Sequence, residues 1–274
     1  MNLDAYLQRI GHAAPASADL PTLRELHRLH TAAIPFENLS PFLGEPVKLD
    51  LPSLEDKLVF RRRGGWCFEQ NLFFTHVLRE IGFEVKTLAA RVRWNVPAGV
   101  TTARSHMVML VMAEGERFLA DVGFGGLTLT APLHLQEGLE QATPHEPHRL
   151  MLEGDKYTLE AKVGGEWQVL YVFDLHEQLQ QDYEVSNWYL ANFPQSQFVT
   201  GIIAARADTD RRHALRNTRY AIHHRGGETE RRHAGTVAEL KSILSGPMRI
   251  PLPSHPELDS RLQAVIDANP EVRP

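Results

Sequence analysis

The apolar period of this chain changes at Phe83, and that change limits its fold more than any other feature. Before it the spacing is helical. Leu23, Leu26, Leu29 and Ala33 recur every three or four residues after a Pro21-Thr22 start, and Pro35 stops the run. Ser53 to Phe60 reads as a short helix with Ser53 as its cap and Asp56 three residues on. Phe74, Val77, Leu78 and Ile81 follow at i, i+3, i+4, i+7, and Gly82 supplies a C-terminal stop. From Phe83 the period falls to two, with Leu88, Ala90, Val92 and Trp94 alternating with Arg91 and Arg93.

The strand pattern continues through Arg104–Val122, Leu150–Leu152, Lys156–Val163 and Trp167–Phe173. Gly154-Asp155 and Gly164-Gly165 mark turns, so short antiparallel strands in a barrel or sandwich are expected. Residues 127–149 carry Pro132, Pro144 and Pro147 and read as a long irregular connection. Asp182–Phe193 reads as a helix, Phe198–Ala205 and Thr218–His224 as strands, and Thr236–Leu244 as a helix capped by Thr236 with Glu239 three positions on. A last helix is expected from Glu257. The class is therefore α+β, in the order helical bundle, antiparallel sheet, mixed α/β segment, and a length of 274 residues allows more than one domain.

The only cysteine, Cys67, lies in Arg63-Gly64-Gly65-Trp66-Cys67-Phe68-Glu69. A free cysteine is most often a small core residue. Here two glycines give a turn and a helix starts directly after it. A thiol on the first turn of a helix meets the positive end of the helix dipole, which favours thiolate chemistry, so Cys67 is expected to be a nucleophile.

A base is needed to take its proton. Arg104–Val111 and Arg117–Val122 flank the polar turn Glu114-Gly115 and read as a β-hairpin. With a two-residue turn, Asp121 falls opposite Val108. His106, two residues from Val108, is then on the same face and diagonal to Asp121. A one-residue change of turn would separate them. His106 is expected to serve as the base and Asp121 to orient it and stabilise the imidazolium.

These residues identify a resemblance. The chain is similar to the arylamine N-acetyltransferases of the bacterial type, through the cysteine string, the His106 segment and Asp121-Val122-Gly123-Phe124-Gly125-Gly126. Ile34-Pro35-Phe36-Glu37-Asn38-Leu39 also fits, and Asn187-Trp188-Tyr189 and Pro194-Gln195-Ser196-Gln197-Phe198 fit more loosely. The resemblance implies a helical bundle over 1–82 carrying the nucleophile, a β-barrel over 83–193 carrying His106 and Asp121, and an α/β lid over 194–274. It also implies a cysteine-protease-like Cys-His-Asp arrangement. It implies acetyl-CoA as acyl-donor substrate and an arylamine, arylhydrazine or N-hydroxyarylamine as acceptor, joined by a ping-pong scheme through acetyl-cysteine. Phe36, Val92, Phe124, Gly125, Gly126 and Phe198 match substrate-facing positions, although on physical grounds the Phe and Val residues equally suit a core. Glu37, Arg63 and Glu69 are expected to support the cysteine loop, with Glu37 and Arg63 as a partly buried ion pair. The same triad would serve a thiol hydrolase, a peptidase or amidase with water as acceptor. It is distinguished by indifference to acetyl-CoA.

Charge and composition remove other classes. A net charge of −5 argues against a nucleic-acid partner, and Arg61-Arg62-Arg63, Arg211-Arg212-His213 and Arg231-Arg232-His233 read as solvated faces. No run of eighteen apolar residues occurs, so no membrane partner is expected, and Met1–Tyr6 lacks a signal-peptide pattern. One free thiol suits the reducing cytoplasm. His27 with His30, and His145 with His148, lack the neighbours of a zinc site and read as surface or packing residues; no metal and no tightly bound cofactor are expected. Sequence leaves the oligomeric state open.

Overall fold

A computed structural model describes residues 1–97 and 99–270. The first part comprises α1 (Leu3–Ile10), α2 (Leu20–Ala33), the short strand β1 (Phe36–Glu37), α3 (Leu39–Phe42), α4 (Leu51–Glu55), a π-helical turn over Asp56–Phe60, and α5 (Cys67–Ile81). There follow β2 (Glu84–Val92), β3 (Arg104–Ala113), β4 (Glu116–Ala120), β5 (Leu133–His134), β6 (His148–Glu153), β7 (Lys156–Val163) and β8 (Glu166–Glu177). The last part holds α6 (Gln180–Asn192), α7 (Gln197–Thr200), β9 (Ile203–Ala207), β10 (Arg211–Arg216), β11 (Arg219–His224), β12 (Thr229–His233), α8 (Val237–Ser245) and α9 (Leu258–Ala268).

Seven strands form one antiparallel sheet in the order β5-β4-β3-β2-β8-β7-β6. Bridges from Glu137 to Leu150 and from Gln141 to His148 carry the chain beyond β5 onto β6, so the sheet curls back into a barrel. A second sheet runs β1-β9-β10-β11-β12, and the helical region thus lends a strand to the C-terminal part. β3 is covered on both faces. Met107, Met109 and Val111 pack with Phe73, Phe74 and Val77 of α5, while Val108 and Leu110 join Leu119, Leu159 and Tyr171 inside the barrel. Each large apolar side chain buried in this way contributes about 2 kcal/mol.

The β3–β4 hairpin has the turn the sequence argument required. Glu114 and Gly115 both have positive φ, 53° and 81°, which is a type I′ turn matched to strand twist. Pairing runs Ala113 to Glu116 through Met109 to Ala120.

Four local expectations are corrected. The 51–60 helix starts earlier, because Asp50 and not Ser53 is the cap: its carboxylate accepts the Ser53 N–H at 3.0 Å. Phe198 lies on α7 rather than in a strand, because Ser196 caps a helical turn there and the strand begins only at Ile203. The Arg211-Arg212-His213 cluster is not a solvated face. Arg212 is buried against Glu146, with a shortest contact of 2.7 Å, and buried His213 bonds Tyr220 Oη at 2.8 Å. The connection over 127–149 also contains β5 and the start of β6.

No atom would meet a Cβ at Gly115 within 4 Å, so Gly115→Ala isolates the backbone penalty of its positive φ. Urea unfolding should show a loss of about 1–2 kcal/mol; turnover should be unchanged.

Candidate active site

The cysteine loop is held by backbone contacts that only glycine permits. Phe36 and Gly65 form a parallel bridge; the Glu37 N–H donates to Gly65 O and the Gly65 N–H to Pro35 O, each at 3.2 Å. A Cβ on Gly64 would overlap the Pro35 carbonyl, and one on Gly65 would come within 2.7 Å of Glu69 Oε2. Gln70 Nε2 donates to Gly65 O at 2.7 Å and so ties the loop to α5.

Charges surround this loop in pairs. Arg63 Nε donates to Glu37 Oε1 at 2.8 Å, and both residues are buried. The second Glu37 oxygen accepts the Leu39 N–H at 2.6 Å, at the start of α3. Burial works against ionisation of Glu37, yet Arg63 and Lys57 keep its pKa below the usual carboxylate range. Glu69 accepts the Trp66 N–H at 3.1 Å and pairs with Lys57 Nζ at 2.6 Å; burial dominates there and raises its pKa.

At the start of α5, Cys67 reaches past the end of β3. Its Sγ lies 3.7 Å from Ser105 O, and its Cα would be 2.8 Å from a Cβ on Gly123, so the Asp121 segment also approaches backbone to backbone. His106 Nε2–H donates to Asp121 Oδ2 at 2.7 Å, which leaves Nδ1 for the sulfur. Burial alone would lower the His106 pKa. The Asp121 carboxylate outweighs it and, with Cys67, raises the value to about 10. Burial would likewise raise Asp121, but His106, the Asn71 amide and the Gly123 N–H hold it below its usual range. The structure thus brings the three residues together in a Cys-His-Asp arrangement.

Of the residues expected to face substrate, Phe36 and Phe198 lie with ring centroids 6.4 Å apart, and Phe198 meets Trp66 edge-on at 5.0 Å. Gly125 lies against the Phe36 ring, and Gly126 beside it is exposed. Phe124 packs on His106 at 5.2 Å and on Tyr171 at 5.3 Å. Val92 pairs with Tyr171 across β2 and β8. A cavity of about 790 Å³ lies elsewhere, between α2 and residues 130–144, and none of Cys67, His106 and Asp121 lines it. Among the described residues no group of three or more His, Cys, Asp and Glu could hold a metal ion. Nor does any helix of the described residues have the length and apolarity to cross a membrane.

Three residues at this site were not assigned to it by sequence. Asn71, one turn after Cys67, donates to Asp121 Oδ1 at 2.9 Å and Met107 O at 2.7 Å and accepts the Val122 N–H at 2.9 Å. Its i+4 spacing from Cys67 was the available signal. Tyr171 stacks obliquely on His106 at 5.1 Å; burial, then the Asp121 charge, raises its pKa. His27 accepts the Asp121 N–H at 3.2 Å. Both His27 and His30 are fully buried, so neither is a surface residue: they lie on the inner face of α2, under α5.

Comparison with known proteins agrees with this fold. The profile of the N-acetyltransferase family matches residues 19–256. An arylamine N-acetyltransferase of Mycolicibacterium smegmatis is 45% identical over 244 residues, 88% of each chain. One of Escherichia coli K12 is 42% identical over 243 residues, covering 88% of this chain and 86% of that one. The structure of the Mycobacterium marinum arylamine N-acetyltransferase in complex with CoA superposes with a TM-score of 0.91 at 42% identity, covering 97% of this chain and 99% of that one. The chain belongs to the arylamine N-acetyltransferase family.

Two outcomes follow for the charged groups. Arg63→Ala leaves Glu37 buried and unpaired and should cost about 3–5 kcal/mol in chemical denaturation. The His106 pKa is raised on folding, so its contribution to stability is complete below the unfolded value of about 6.5 and is lost as pH rises through about 10. Asp121 is lowered, so its contribution is present above about pH 3.9 and is lost on acidification below it. The stability difference between wild type and Asp121→Asn should therefore shrink as pH is raised from 6.5 towards 10.

Proposed function

We propose that this chain transfers an acetyl group from acetyl-CoA to an arylamine, arylhydrazine or N-hydroxyarylamine through acetyl-Cys67. The observation that carries the reading is the single thiol at the start of α5, beside an imidazole bonded at 2.7 Å to a buried carboxylate.

The Cys67 sulfur attacks the thioester carbonyl once its proton sits on His106. The C–S bond to CoA breaks, and the leaving sulfur takes the proton from the imidazolium. Thioester and nucleophile are both sulfur, so this step exchanges like for like. His106 is then neutral. In the second step the acceptor nitrogen attacks the acetyl carbonyl, His106 receives its proton, and the Cys67 sulfur departs. Asp121 orients the ring and favours its charged form in both steps. N–H groups of the first turn of α5 stabilise the oxyanion.

In this reading Phe36, Val92, Phe124, Gly125, Gly126 and Phe198 line the acceptor cleft, with Phe124 against the acceptor ring. Glu37, Arg63 and Glu69 hold the cysteine loop in place. The division into 1–82, 83–193 and 194–274 puts the nucleophile and its base on different domains, the usual position for a ligand site. A cytoplasmic location fits a catalytic free thiol.

Mass spectrometry after incubation with acetyl-CoA alone should find one acetyl group, on the peptide bearing Cys67. Adding an arylamine should discharge it and yield the acetylated amine. An unmodified Cys67, or an adduct lost to water equally fast with and without the amine, contradicts the proposal; the second outcome indicates the hydrolase.

A further inference from the structure

Asp121 is the first residue beyond β4. The ladder to β3 stops at Met109 and Ala120, and β5 reaches only Phe118 and Leu119. The Asp121 N–H therefore has no strand carbonyl to meet, and a buried N–H left unpaired is costly. Its acceptor is a side chain from another part of the fold, His27 Nε2 on α2, at 3.2 Å.

A ring nitrogen that accepts carries no proton, so His27 is neutral with its hydrogen on Nδ1. Nδ1 has no partner among the described residues. That is a cost a leucine at this position would avoid. What histidine supplies here is the Nε2 acceptor. The ring stands edge-on to Phe74 with centroids 6.0 Å apart, and it is wholly buried. Burial, acting against the Asp121 charge, lowers its pKa to about 4, so the acceptor persists at neutral pH.

With this contact every polar atom of Asp121 is engaged. Oδ2 accepts from His106, Oδ1 accepts from Asn71 and from the Gly123 N–H, the carbonyl accepts from Thr128 Oγ1 at 3.5 Å, and the N–H donates to His27. We propose that His27 is a positioning residue for acyl transfer, which fixes the Asp121 backbone and thereby the carboxylate that orients His106. The role rests on the acetyl-transfer reading above. It also joins the helical bundle to the barrel at the catalytic carboxylate.

The test has two parts. In single-turnover acetylation of Cys67 by acetyl-CoA, His27→Leu should be slower by about ten- to a hundredfold at little change in KM, and His27→Gln, which restores an acceptor, should recover most of the rate. A wild-type rate in the folded leucine variant, or a glutamine variant as slow as the leucine one, overturns the proposal. Long-range ¹⁵N NMR on the wild-type protein needs neither folding of a variant nor turnover. It should find the His27 proton on Nδ1 at neutral pH. A proton on Nε2 overturns the proposal even if acetyl transfer holds, and the expected tautomer in a protein that acetylates nothing would refute only the reading above.

Discussion

The contact between His106 and Asp121 is the interaction on which the rest of this structure depends. A carboxylate with no solvent exposure is tolerable only if its charge is answered, and here it receives the imidazole, an amide and a backbone N–H. In return it keeps the imidazole charged in a place where burial would otherwise strip the proton. The hairpin provides this pair from residues fifteen apart in sequence. The bundle provides the sulfur. Neither half has a site without the other.

Close approach of the two halves explains the glycines. Gly64 and Gly65 let the cysteine loop lie on the Pro35–Glu37 backbone, and Gly123 lets the Asp121 strand end rest on Cys67 itself. Charged pairs flank the loop, Arg63 with Glu37 and Lys57 with Glu69, and both are largely dry. Buried pairs contribute little net stability but are costly to break. Asn71 on α5 and His27 on α2 then stitch the helices to the strand end that bears the carboxylate.

What was legible in the sequence was local. The helix beginning at Cys67, the Gly82 stop and the two-residue turn at Glu114-Gly115 depend on neighbouring residues alone, and the turn set the register that brings His106 to Asp121. Residues whose roles depend on distant partners were not legible. His27 looks like any helical histidine until the end of β4 is placed over it. Arg212 looks solvated until Glu146, 66 residues earlier, is found beside it. Tyr171 reads as one more apolar strand residue, and its place against His106 follows only from β8 pairing with β2. At α7 the apolar run through Phe198 suggested a strand, and a single serine hydroxyl capping the turn decided otherwise.

The measurement closest to the centre of this account is an NMR titration of the His106 ring, with the resonance assigned by comparison with His106→Gln. The account predicts an imidazolium at neutral pH that gives up its proton only as the solution approaches pH 10. A ring that titrates near 6.5, as a free histidine does, would mean that Asp121 does not hold it charged, and the pairing of imidazole and carboxylate described here would be wrong.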